Sequence, residues 1–88
     1  MDLSLTIPGT ATAVVLNVTV TGPATGGFLT VFPDGQPLPA VSNLNFAAGE
    51  TISNLVVVPV INGEIDFYNG SGGTVQVVAD LDSYCTTP

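Results

Sequence analysis

Residues 14–21 read Val14-Val15-Leu16-Asn17-Val18-Thr19-Val20-Thr21, with apolar side chains at every even position through Val20 and Asn17, Thr19 and Thr21 between them. A period of two is the signature of a strand with one face inward and one outward. Leu3, Leu5 and Ile7, separated by Ser4 and Thr6, repeat the alternation. Working outward from these stretches predicts seven strands, at about 2–7, 12–21, 27–32, 42–46, 53–61, 64–68 and 74–84. The breaks fall at Pro8-Gly9, residues 22–27, Pro33-Asp34-Gly35, Ala48-Gly49-Glu50, Asn62-Gly63 and residues 69–73. Turn signals at this spacing indicate one all-β domain over 1–88, an antiparallel β-sandwich of immunoglobulin-like shape. Asn62-Gly63 is the sharpest local signal. Both residues tolerate positive φ, so a two-residue hairpin is expected between Val60-Ile61 and Glu64-Ile65.

Composition supports a packed core. The chain is 45% hydrophobic but only 8% charged, against about 25% in ordinary domains. Ten glycines, seven prolines and abundant valine disfavour helix. All seven charged side chains are acidic, and Lys, Arg and His are absent. Phosphate neutralisation needs basic groups, so neither nucleic acid nor an anionic membrane surface is an expected partner. Without His or Lys, the usual nucleophile–base pairs and Schiff-base chemistry cannot be assembled. Paired carboxylates could serve a glycosidase, but that needs a cleft a chain this short hardly builds. The expectation is no enzyme and no cofactor.

The run Leu55-Val56-Val57-Val58-Pro59-Val60 is apolar at both parities. It suggests a strand buried on both faces or one whose outer face a partner covers, which makes Val56 and Val58 candidate assembly contacts. The other reading is an ordinary sandwich strand with a few exposed valines. Pro59 cannot donate to a ladder, so that end belongs at an edge or bulge.

With the strands placed, a family pattern comes into view. Ala13-Val14-Val15-Leu16-Asn17-Val18-Thr19-Val20-Thr21, Gly27-Phe28-Leu29-Thr30-Val31-Phe32-Pro33-Asp34-Gly35, Ser42-Asn43-Leu44-Asn45-Phe46, Asn54-Leu55-Val56-Val57-Val58-Pro59-Val60, Phe67-Tyr68-Asn69 and Val78-Ala79-Asp80-Leu81-Asp82-Ser83-Tyr84 occur in that order. The string resembles an accessory repeat of secreted actinobacterial proteins, where it stands in tandem or beside hydrolase and protease domains. The resemblance implies a β-sandwich module outside the cell and transfers no ligand to particular residues. Two departures, a single unit beginning at Met1 and no basic-then-apolar export segment, point by analogy to a phage of an actinobacterial host. The expected setting is therefore a virion surface or the extracellular space. Expected partners are a capsid or tail lattice, like copies in a homo-oligomer, or a surface glycan.

Phe28, Thr30 and Phe32 share one side of their strand, opposite Leu29 and Val31. The plainer expectation puts Phe28 and Phe32 in the core. The functional alternative turns them outward and joins them to Tyr68 and Tyr84 as a contact patch. Asp80 and Asp82 flank Leu81 and could meet Asp2 around Ca²⁺, although the spacing matches no Ca²⁺ loop and solvated acids are the simpler reading. Asn43, Asn45 and Asn54 are expected to bond across strands or cap turns. Asn17-Val18-Thr19 and Asn69-Gly70-Ser71 match the N-glycosylation pattern, as an accident in a bacterial or phage setting. Cys85 is the only cysteine, so no internal disulfide forms.

Overall fold

Six strands carry the regular structure in the computed structural model, which describes residues 1–86: β1 (Ala11–Thr21), β2 (Gly27–Pro33), β3 (Leu44–Phe46), β4 (Ile52–Pro59), β5 (Ile65–Ser71) and β6 (Gln76–Thr86). They form two antiparallel three-stranded sheets, ordered β4-β1-β6 and β3-β2-β5, with no helix among the described residues. Val14, Leu16, Val18 and Val20 of β1 are fully buried, as their alternation requires. They share one core with Val56 and Val58 from their own sheet and with Leu29, Val31, Leu44, Phe46 and Ile65 from the other. Two sheets closed face to face on a common core make a sandwich.

The expected strand over 2–7 is absent. The Asp2 carboxylate accepts the Ser4 N–H at 2.8 Å, and the Leu3 carbonyl accepts the N–H groups of Thr6 (2.8 Å) and Ile7 (3.0 Å). The segment therefore winds through a turn, burying Leu3 and Ile7 while Leu5 is fully exposed. Apolar residues at i, i+2 and i+4 satisfy both a strand and a helical turn, and local side-chain capping decided between them.

Asn62-Gly63 forms the expected positive-φ turn, with φ of 54° and 74° and Ile61 and Glu64 exchanging backbone hydrogen bonds across it, but the expected hairpin stops at this one bridge. This turn carries the chain from one sheet to the other, since β4 and β5 belong to different sheets. Pro59 sits on β4, an edge strand. Asparagines finish ladders that strands leave incomplete. Asn43 Oδ1 accepts the Val31 N–H at 2.6 Å just past the end of the short β3. Asn54 Nδ2 donates to the Asn43 carbonyl at 2.9 Å, tying the two sheets together along their β3/β4 side.

Candidate interaction surface

Strand β2 turns its aromatic side outward. Leu29 and Val31 are buried, so Phe28 and Phe32 cannot be core residues, and the plainer expectation is overturned. The space between the sheets already holds the Val/Leu row of β1, and compact aliphatic side chains fit against it. In the β2–β5 register, Phe28 lies opposite Gly70, Thr30 opposite Tyr68 and Phe32 opposite Asp66. Directly opposed residues share a face, so these six positions define the outer surface of the second sheet.

Gly70 gives Phe28 its seat. A β-carbon at position 70 would overlap the ring, with the Cε atoms of Phe28 2.5 Å away. The ring thus covers the glycine and leans toward Tyr68, with centroids 6.1 Å apart and planes tilted by 39°. That separation lies in the range of favourable aromatic pairs. Both rings remain over a third exposed.

A strap over residues 36–42 forms the other wall. Thr30 is completely buried although it faces outward, because the strap crosses it: Thr30 Oγ1 donates to the Val41 carbonyl at 2.7 Å. Pro37 and Pro39 stiffen this segment, and Leu38 and Val41 stay exposed. Between strap and rings lies an open groove of about 490 Å³. The strap has a signal in the sequence, two prolines alternating with apolar residues in a stretch where a polar loop is the norm.

At the far end of this face Asp66 sits half-buried opposite Phe32. Partial loss of water, and after it the hydrogen bond and negative charge of Asp34, raise its carboxyl above the ordinary aspartate value. A second depression of about 370 Å³, beside the N-terminal turn, is walled by small and aliphatic groups such as Ser4, Pro8 and Ala11 and offers no titratable group.

The remaining expected contacts fall elsewhere. Val56 and Val58 point inward opposite Leu16 and Val14, buried to 3% and 2% exposure, and are closed to any partner. The outer positions of β4 are Leu55 and Val57, exposed to 59% and 65%, with Val57 directly opposite Val15. Beside this aliphatic half, Thr19 pairs with Ser53 (2.8 Å) and Thr21 with Thr51 (3.0 Å) through their hydroxyls. Tyr84 belongs to β6, opposite Val14, and does not join the other aromatics. The carboxylates proposed for Ca²⁺ are not gathered: Asp2 bridges to Glu64, Asp80 faces Asn17 and Asp82 falls in a β-bulge. Among the described residues no three His, Cys, Asp or Glu side chains cluster as a metal site would need. Cys85 is exposed on β6. No family model matches this chain, and neither characterised proteins nor solved structures provide a match.

Proposed function

We propose that this chain is a non-catalytic surface module, an immunoglobulin-like sandwich that attaches to a protein lattice, with the outside of a virion capsid or tail as its setting. The observation that carries the reading is the exposed aliphatic pair Leu55 and Val57 on the outer face of β4-β1-β6, beside half-buried Val15 and with Asp80 at the far side of the Leu55 row. Apolar side chains grouped on a folded surface mark docking sites. The seven acidic side chains, unopposed by any basic one, keep free copies apart until such a face is engaged.

A second reading, contact with a cell-wall glycan, draws on a different observation. The Phe28–Tyr68 pair offers ring faces for the apolar side of a sugar, and Asp66 on the same sheet face offers a hydroxyl acceptor. Co-sedimentation separates the two. With actinobacterial phage particles stripped of surface proteins, the chain pellets saturably and Val57→Asp abolishes it. With actinobacterial sacculi, pelleting that is lost in Tyr68→Ala transfers the function to the glycan. A chain that stays in the supernatant with both refutes the proposal.

A further inference from the structure

The sandwich is closed along one side and open along the other. On the closed side, β4 places Val56 and Val58 opposite Leu16 and Val14, and all four are buried. On the open side, β6 places Val77, Ala79, Leu81 and Tyr84 opposite Val20, Val18, Leu16 and Val14. These β6 residues share the core face of the sheet, yet Val77 is 37% and Tyr84 47% exposed, with Ala79 and Leu81 half-buried between them. The core face of β6 is covered in the middle, where Ala79 and Leu81 pack against the core, and open at Val77 and Tyr84.

The backbone edge of β6 is free as well. This strand runs for eleven residues and, among the described residues, pairs only with β1. The other edge strands are shorter, and β4 and β5 are each tied at one point. β3 has three residues, and β4 ends in Pro59 and is tied through Asn54 to Asn43. The start of β5 is held by Met1, whose amino group donates to the Ile65 carbonyl (2.6 Å) and whose carbonyl accepts the Ile65 N–H (3.1 Å).

We infer that the β6 edge accepts an extended strand from a cationic protein partner, which completes the sandwich. An open row of backbone donors and acceptors is satisfied by another extended chain. Residues 76–81 set its side-chain pattern. Apolar groups of the incoming strand meet Val77, Ala79 and Leu81 on the core side, and a lysine or arginine meets Asp80 on the outer side. The charge selects the partner. The charged side chains of a second copy are all acidic, and a β6 pair centred on Leu81 would set Asp80 of one chain against Asp82 of the other. A basic strand relieves the same carboxylates. The β6 edge lies across β1 from Leu55 and Val57 and on the other sheet from the Phe28 groove.

A labelled heptapeptide alternating valine and lysine, and its glutamate counterpart, probe the edge by fluorescence anisotropy, with amide hydrogen exchange locating the contact. The lysine peptide binds and protects amides of residues 76–81, and the glutamate peptide does not bind. Asp80 is exposed, so its variants fold as the parent does, which circular dichroism checks. Asp80→Asn weakens binding about two- to fivefold, the range of one cross-strand charge pair, and Asp80→Lys weakens it further and admits the glutamate peptide. Equal binding of both peptides, protection elsewhere or no binding overturns the inference. So does a dimer in sedimentation whose β6 amides are protected without peptide, which assigns the edge to a second copy.

Discussion

Replacing Gly70 by alanine tests the aromatic seat through the sign of its effect. Gly70 lies within a strand and is not held at positive φ. On backbone grounds alone, alanine there stabilises by about 0.5–1 kcal/mol. Here the added carbon overlaps the Phe28 ring, which must swing off the sheet. Phe28 is 36% exposed. If a buried ring shields ~200 Å², about two-thirds of that, ~130 Å², is withdrawn from water. At ~25 cal/mol per Å² this is worth about 3 kcal/mol as an upper bound. Losing roughly half of it removes ~1.5 kcal/mol, and separating the ring from Tyr68 removes a further ~0.5–1.5 kcal/mol. Against the backbone gain, the net is a destabilisation of about 1–2.5 kcal/mol and a melting temperature lower by roughly 4–20 °C. Thermal and urea melts followed by circular dichroism measure it. In a Phe28→Ala background the sign reverses, because with no ring to displace Gly70→Ala returns to its stabilising value of about 0.5–1 kcal/mol. A stabilising Gly70→Ala with the ring present, or the same effect in both backgrounds, refutes the stacked geometry.

Four further outcomes follow from the same framework. Val58→Ala empties a core position and lowers stability by about 2 kcal/mol, while Val57→Ala on the same strand stays within about 0.5 kcal/mol; urea midpoints that reverse this order would reject the β1–β4 register. Thr30→Val removes the buried hydroxyl that holds the strap and leaves the Val41 carbonyl unsatisfied; it lowers stability by about 1–3 kcal/mol, and amide exchange speeds up across residues 36–43 before it does in β1. Asp66 binds its proton more tightly folded than unfolded, so its contribution is fully present below the unfolded value and is lost as pH rises through the raised folded value. Asp66→Asn therefore gains denaturation midpoint relative to the parent as pH climbs through that window. Asp2, depressed chiefly by the Ser4 N–H, acts in the opposite sense, losing its contribution as pH falls through its folded value, so Asp2→Asn loses midpoint at neutral pH.

Strand β1 was legible because its two parities differ in chemistry: Leu16 and Val18 cannot exchange faces with Asn17 and Thr19 without burying polar groups. The run 55–60 was not, because both parities are apolar and only the register with β1, which sets Val56 opposite Leu16, assigns a face. The faces of Phe28 and Phe32 were not legible either. Both parities of β2 are apolar apart from Thr30, and the seat that lets Phe28 lie outside is Gly70, a strand glycine over forty positions away in sequence whose role depends on the pairing of β2 with β5. The strap was hidden for a related reason, since the Thr30–Val41 hydrogen bond that folds it over the sheet is a tertiary contact.

Composition, by contrast, acts on the edges as well as on the chemistry. A chain with basic and acidic side chains in balance can pair its exposed strands with copies of itself, and needs bulges or prolines to prevent it. This chain has a bulge at Asp82 and acids on both sides of Leu81, and no side chain in a second copy can neutralise them. The absence of lysine and arginine therefore lets an eleven-residue edge stay open. The same strand leaves apolar core-side residues uncovered, so what is closed to its own kind stays available to a strand of opposite charge.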